Sequence, residues 1–442
     1  MSRPIVAIVG RPNVGKSTFF NMLAGEKISI VDDTPGVTRD RIYADVEWLG
    51  KTFTLVDTGG IEIRSEDVLF QEMRMQAQMA IDTADVIIFL TDGREGLTDA
   101  DGEVADLLRR STKPIVLAVN KIDNYEKQAM DVYEFYNLGI GEPYPVSARG
   151  KSGVGDLLEA VASHFPEDKD TDEEDGIPRI AIIGKPNVGK SSIVNRLLGE
   201  TRMIVSDIPG TTRDAIDSRI RVNGKDYIFI DTAGLRRQNR RKEALEYYSV
   251  VRALSAVERA DVALLVISAK EGVTEQDAKI AGIAHDNGKG VIIAVNKWDA
   301  VEKDNDSVKD YTRKIRETLS FMPYAPIVFI SAMTGQRCAK IYPLVDTVLE
   351  NRERRIPTGV LNEFVAEATA LTAPPTDKGK RLKIVYATQV GPGPPTFVFF
   401  VNDKELMHFS YQRYLENRIR ESFDFDGTSI RFLIRERKEK ET

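Results

Sequence analysis

Two residue types that build many active sites are nearly missing: the 442-residue chain has one cysteine and three histidines. Cys338 alone can form neither an internal disulfide nor a Cys-rich zinc site, so a reducing cytosol is expected rather than an oxidised secreted scaffold. His164, His285 and His408 show no spacing that supports a metal cluster or a hydrolase triad. Long hydrophobic runs are also missing. The apolar start of the chain, residues 5–9, is too short for a signal peptide, and residues 261–268 and 396–401 fall far below the roughly 18 needed to cross a bilayer. A soluble, cytoplasmic protein that meets no membrane is expected. Nor is there a large excess of one charge, with 61 Lys and Arg against 68 Asp and Glu and a net charge of -7. Most of that excess sits in residues 167–175, EDKDTDEED, a run with nothing apolar to bury that reads as a solvated tether. The remainder is close to neutral, so overall acidity does not argue against a polyanionic partner.

What is present is a repeat. Residues 10–60 recur 174 positions later as residues 184–234, and 25 of these 51 positions are identical without gaps. The shared positions include glycines, prolines and charged residues as well as apolar ones, so a chemical site is duplicated along with a core. In each copy short apolar strands alternate with longer amphipathic stretches, the pattern of βαβ units and a mostly parallel sheet. Strands are expected at 5–9, 53–56, 86–90 and 115–119, and at 180–183, 227–230, 262–267 and 291–295. Residues 41–48 and 215–222 precede turns at Gly50 and Gly224 and read as hairpin strands at a sheet edge. After residue 350 the pattern changes to a helix (360–371), strands (381–390 and 397–401), a helix (404–423) and a strand (429–435): a small α+β module of order αββαβ.

Both GRPNVGKS (residues 10–17) and GKPNVGKS (184–191) match G-x-x-x-x-G-K-[ST] between a strand and a helix. Gly10, Gly15, Gly184 and Gly189 let backbone N–H groups wrap a phosphate, with Val14, Thr18, Val188 and Ser192 in the same wrap. The helix adds its positive end, Lys16 or Lys190 reaches the terminal phosphates, and Ser17 or Ser191 ligates magnesium. Asp57-Thr58-Gly59-Gly60 and Asp231-Thr232-Ala233-Gly234 end strands; the aspartate can hold the magnesium shell through water, and the amide of Gly60 or Gly234 can sense a γ-phosphate. In Asn120-Lys121-Ile122-Asp123 and Asn296-Lys297-Trp298-Asp299 the last carboxylate can accept from the N1–H and 2-amino group of guanine. Adenine lacks that pair of donors, and such a site can discriminate by roughly 10⁴ to 10⁵. Ser147-Ala148 and Ser331-Ala332 complete each set with an amide for the guanine 6-oxo group.

These five motifs, in order and in duplicate, resemble the translation-factor-like GTPases, and their tandem arrangement is similar to the Der (EngA) double-GTPase family over essentially the whole chain. The resemblance implies two Ras-like P-loop GTPase domains and a KH-like domain, with residues 1–164, an acidic linker 165–177, 178–350 and 351–442 as the divisions. It implies a ribosome-associated GTPase that converts GTP to GDP and phosphate in maturation of the large (50S) subunit, with that subunit and its rRNA as partners. Thr38 and Thr212 match the switch threonine that ligates magnesium in the GTP state and, with Lys16 and Lys190, are the expected catalytic residues. Ile61 and Leu235 stand where Ras-like enzymes carry the water-positioning glutamine, so slow unassisted hydrolysis is expected. Asn13 and Asn187 match the asparagine that coordinates potassium in related GTPases; an asparagine there also suits a turn. The basic run 235–242, LRRQNRRK, reads either as a solvated loop or as a contact for a phosphate backbone. No G-x-x-G occurs from Ile356 onward, so RNA binding in the usual KH groove is not expected, although Arg431, Arg435, Arg437, Lys438 and Lys440 leave the end basic. A monomer without DNA contacts is expected. The rival readings are a nucleotide-sensing scaffold with little turnover and a component of a tRNA-modifying enzyme, the latter disfavoured by the position of Cys338.

Overall fold

The computed structural model describes residues 3–25, 43–59, 66–165, 176–199, 217–231, 245–302, 306–377, 380–391 and 393–436. The chain divides into two compact units, one from residues 1–175 with 247–258 and one from 176–246 with 259–442.

The first unit contains β1 (Ile5–Val9), α1 (Lys16–Gly25), β2 (Tyr43–Trp48), β3 (Lys51–Asp57), α2 (Glu66–Thr83), β4 (Val86–Asp92), α3 (Asp99–Arg109), β5 (Ile115–Asn120), α4 (Tyr125–Tyr133), β6 (Pro143–Pro145) and α5 (Val154–Ser163). Its sheet has the order β2-β3-β1-β4-β5-β6, with β2 antiparallel to β3 and every other pairing parallel. Crossover helices cover both faces of such a sheet, which is why β1 and β4 are apolar and buried along their whole length. Phe19 and Phe20 of α1 and Leu157 and Val161 of α5 share a core with Val6, Ile8, Leu55 and Leu90. All four apolar strands expected from the sequence are present. The edge strand β6 was not anticipated. It is three residues long with a proline at each end, and a missing N–H is tolerated only at a sheet edge.

The second sequence repeat has the same element order, with β7 (Arg179–Ile183), α6 (Lys190–Gly199), β8 (Ser218–Val222), β9 (Lys225–Ile230), α7 (Leu245–Arg259), β10 (Val262–Ser268), α8 (Glu275–Asp286), β11 (Gly290–Asn296), α9 (Ser307–Thr318), β12 (Ile327–Phe329) and α10 (Ile341–Glu353); all of these lie in the second unit except α7, of which residues 247–258 belong to the first. The sheet order of the second unit, β12-β11-β10-β7-β9-β8, is the first sheet read from the other edge. The unit continues with α11 (Thr358–Leu371), a two-rung ladder of β13 (Thr376–Asp377) and β14 (Lys380–Arg381), β15 (Ile384–Val390), β16 (Thr396–Val401), α12 (Phe409–Ser422) and β17 (Arg431–Glu436). The αββαβ order holds: β15 and β16 are antiparallel, β16 and β17 parallel, and α11 and α12 share a core with Phe397, Phe399 and Val401. Two spans differ from expectation. The strand expected over 381–390 begins at Ile384, and the helix expected from 404 begins at Phe409 after a short 3-10 turn, where the buried Leu406 and Met407 turn the chain into the core.

The terminal module is joined to the rest of this unit largely through main-chain groups. The guanidinium of Arg352 donates to the carbonyls of Asp261 and Gly288 at 3.2 and 2.8 Å, and the side chain of Asn351 donates to the Asp426 carbonyl at 3.0 Å. Nearby, the Gly427 N–H donates to Tyr324 and the Val291 N–H to Gly427. His285 lies within 2.7 Å of the Tyr324 hydroxyl, and the Arg420 guanidinium lies over the Tyr324 ring. Burial first, then Arg420 and Arg431, pushes the His285 imidazole down to about 4, so it is neutral near pH 7.

Both expected edge hairpins are present, and each turns on two residues with positive φ: Leu49 (48°) with Gly50 (77°), and Asn223 (51°) with Gly224 (84°). This tight turn favours Asn-Gly, and Leu49 is 78% exposed, so no packing compensates its left-handed backbone. Leu49→Asn should stabilise the hairpin by roughly 1 kcal/mol. Native-state hydrogen exchange of the paired amides in β2 and β3 should slow accordingly; unchanged or faster exchange would contradict the account.

Candidate nucleotide-binding sites

Each site stands at the carboxyl ends of the parallel strands, where loops from separate βα units converge. In the first unit β1 leads into the phosphate loop. A Cβ on Gly10 would lie 2.2 Å from the Leu90 carbonyl oxygen, and one on Gly15, at φ 98°, would lie 2.5 Å from the Asn120 side chain. Gly184 and Gly189 repeat these approaches against Val266 and Asn296. The Asn120 amide nitrogen donates to the Val14 carbonyl at 2.8 Å and its oxygen accepts from the Ala148 N–H at 3.0 Å. Asn296 does the same with Val188 and Ala332, both at 2.9 Å. Lys121 and Lys297 donate to the carbonyls of Asn13 and Asn187 at 2.8 and 2.6 Å. Phosphate, base-recognition and Ser-Ala loops are therefore tied together in both units.

The lysine ammoniums are buried beside main-chain oxygens. Lys16 donates to the Gly10 and Arg11 carbonyls at 2.6 and 2.9 Å, and Lys190 donates to Gly184 at 2.6 Å and to Lys185. Ser17 and Thr18, like Ser191 and Ser192, lie in the first turn of their helix with side chains at least partly open to solvent. Asp57 ends β3, 6% exposed, and accepts from the Gly59 N–H at 2.8 Å. The Asp231 N–H donates to the Asp217 carboxylate at 2.9 Å. A serine hydroxyl with an oriented carboxylate is a hard-oxygen donor set that suits magnesium shared with phosphates. Asn13 and Asn187 have φ 65° and 62° with exposed side chains, so turn geometry alone favours asparagine there while leaving both amide oxygens accessible. Thr38, Thr212, Gly60, Gly234, Ile61, Leu235 and the basic run 235–242 lie outside the described residues.

At the base end, the Ser147 hydroxyl donates to Asp123 at 2.7 Å and the Arg94 guanidinium donates to its other oxygen. Ser147 first, then Arg94, holds the Asp123 carboxyl below the usual carboxylate range. In the second unit the Ser331 hydroxyl accepts from the Thr334 N–H at 3.1 Å. The Ala148 and Ala332 amides expected for the guanine 6-oxo group donate here to Asn120 and Asn296, so a base oxygen would have to share them.

The sequence reading missed one duplicated device. The second residue of each phosphate loop is buried and ion-paired: Arg11 to Glu95 at 2.6 Å and Asp101 at 3.4 Å, Lys185 to Glu271 at 3.1 Å and Asp277 at 3.4 Å. Asp101 and Asp277 are fully buried and also close the capping boxes of α3 and α8 with Thr98 and Thr274. Burial raises both carboxyls above the usual range even against these partners. The signal was present in the sequence as Thr98-x-x-Asp101 and Thr274-x-x-Asp277, a helix-start pattern.

Comparison with known proteins agrees with this geometry. Residues 5–121 and 179–297 match the family described as 50S ribosome-binding GTPase, and residues 355–435 match the KH-domain-like C-terminal domain of EngA bacterial GTPase enzymes. The protein named GTPase Der from Agathobacter rectalis is 68% identical over 441 residues, covering 100% of both chains. The chain belongs to the Der (EngA) family. GTPase Der of Acetivibrio thermocellus is 58% identical, again over 100% of both chains, and that of Listeria innocua 57% identical over 99% of this chain and 100% of the other. Among solved structures, the FeoB G-domain of Methanococcus jannaschii is 25% identical over 37% of this chain and 98% of its own, with a TM-score of 0.29. As a member of the Der family the protein is a GTPase, with GTP as substrate, two GTPase domains and a KH-like domain. No helix among the described residues is long and apolar enough to cross a membrane.

If Asp101 anchors the phosphate loop through Arg11, Asp101→Asn keeps the side chain's size and removes the opposing charge. GDP affinity at the first site should fall about five- to tenfold, on the order of 1 kcal/mol, because Arg11 loses one of its two ion-pair partners and keeps Glu95. A fluorescent-GDP titration that gave wild-type affinity would show that the ion pair serves α3 alone.

Proposed function

We propose that this GTPase is an assembly factor acting in maturation of the large (50S) ribosomal subunit, working in the cytoplasm as a monomer on that subunit and its rRNA, with no part for DNA or a membrane. The observation that carries this reading is the duplicated guanine-nucleotide site in a chain whose repeats match a 50S ribosome-binding GTPase family. The functional divisions would be residues 1–164, the linker 165–177, 178–350 and 351–442.

In each site water attacks the γ-phosphate and no covalent enzyme intermediate forms. Lys16 and Lys190, already surrounded by loop carbonyls, turn their ammoniums to the β- and γ-phosphates, and the loop N–H groups from Asn13 to Thr18 and from Asn187 to Ser192 take the remaining phosphate oxygens. Ser17, Thr38 and Asp57, and Ser191, Thr212 and Asp231, would hold magnesium, the aspartates through water. When bound, magnesium neutralises charge on the phosphate oxygens. The carboxylates of Asp123 and Asp299 select guanine, with Asn120, Lys121, Ser147 and Ala148, and Asn296, Lys297, Ser331 and Ala332, shaping the base pocket. Gly60 and Gly234 report the γ-phosphate. With Ile61 and Leu235 in place of a water-positioning glutamine, Asn13 and Asn187 would hold potassium, whose charge substitutes for an arginine finger.

GTP hydrolysis should accordingly run severalfold faster in potassium than in matched sodium chloride at saturating GTP and magnesium; equal rates would remove the role given to Asn13 and Asn187. The function itself is tested by pelleting with purified 50S particles. Association should be stronger with a non-hydrolysable GTP analogue than with GDP and should drop when residues 352–442 are removed. Equal pelleting in both nucleotide states, unaffected by the truncation, would overturn the assembly-factor reading.

A further inference from the structure

The turn after β4 delivers Arg94 to the guanine-recognition carboxylate, and it is rigidly built. The Asp92 carboxylate accepts from the N–H groups of Arg94 and Glu95 at 3.0 and 3.4 Å, the Gly93 N–H donates to the Asn120 carbonyl at 2.8 Å, and the Gly96 N–H donates to the Asp92 carbonyl at 3.1 Å. Asp92 also receives Lys121. The turn is thus fastened to the base-recognition loop itself, and Arg94 reaches from it to one oxygen of Asp123 while Ser147 holds the other.

The second unit has the same backbone with different side chains. The Ala269 N–H donates to the Asn296 carbonyl at 2.8 Å and the Gly272 N–H to the Ser268 carbonyl at 2.9 Å, and Glu271 meets the phosphate loop as Glu95 does. Lys270 stands in the place of Arg94, and among the described residues it makes no hydrogen bond or ion pair. On this turn an arginine meets the base carboxylate in the first site, whereas Lys270 makes no such contact in the second.

We propose that Arg94 is a stand-in for guanine in the first site: its planar N–H donor occupies the Asp123 carboxylate when no base is bound, competes with the base edge, and weakens guanine-nucleotide binding at that site relative to a chain without it. The inference rests on the assignment of Asp123 to guanine recognition. The Arg94 and Asp123 side chains are 59% and 46% exposed, so the competition is modest and screened by salt. Its sign is nonetheless diagnostic. Removing a cation beside a polyphosphate ligand should by itself weaken binding, whereas removing a competitor for the base carboxylate should strengthen it.

The test uses the full-length chain carrying Asp299→Asn, with xanthosine diphosphate filling the second site, so that fluorescent GDP reports on the first. Binding of one equivalent of GDP checks the base assignment separately; two equivalents, or none, would fault that assignment and not Arg94. In this background Arg94→Met and Arg94→Gln should each tighten GDP binding about two- to fivefold, the range expected for release of an exposed ion pair. Unchanged or weaker GDP affinity in either variant, with one equivalent still bound, overturns the proposal.

Discussion

The side-chain amide of Asn120 donates to one loop and accepts from another, and the geometry of the whole first site hangs on that pair of hydrogen bonds, as the second site hangs on those of Asn296. Asn120 is 2% exposed. Its net contribution per hydrogen bond is only about 1 kcal/mol, but a buried partner left unsatisfied costs about 1–3 kcal/mol, so no other residue type fits cheaply. Aspartate could not donate to the Val14 carbonyl and leucine could do neither. The glycine at position 15 is the other half of the same constraint, since any side chain there would occupy the place of the amide. These bonds use protein groups only, so they hold the phosphate and base loops to one another without any nucleotide atom as a bridge.

Much of this was legible in the sequence because the informative residues are local. The apolar runs of β1, β4, β5 and their counterparts announce buried parallel strands, and the turn pairs at Leu49-Gly50 and Asn223-Gly224 announce edge hairpins. Order and duplication of short motifs did the rest for the sites. Less legible were features that depend on partners far along the chain. A three-residue strand such as β6 has no pattern of its own and exists because β5 offers it an edge. Arg11 and Lys185 look like ordinary variable positions in a loop motif; what fixes them is a carboxylate about 90 residues later, visible beforehand only as a helix cap. Arg94 was invisible for the same reason, as nothing local says that its side chain reaches Asp123.

One turn thereby serves both ends of the first nucleotide site. Arg94 faces the base carboxylate and its neighbour Glu95 faces the phosphate loop, so a single rigid segment bears on two chemically distinct regions. In the second unit the corresponding turn keeps the phosphate-loop contact, through Glu271 and Lys185, and among the described residues its Lys270 makes no ion pair. Two copies of one fold thus differ through side chains carried on an unchanged backbone.

The joint at Arg352 has a different character. Its acceptors are peptide carbonyls of Asp261, Gly288 and Gly393, supplied by three separate stretches of chain. Carbonyl oxygens do not titrate, so acid that would neutralise a carboxylate leaves these bonds intact. His285, beside Tyr324 at this joint, keeps its neutral form down to about pH 4. The attachment of the terminal module therefore rests in large part on main-chain geometry that acid leaves untouched, and the His285 imidazole is one place in it where acidity can act.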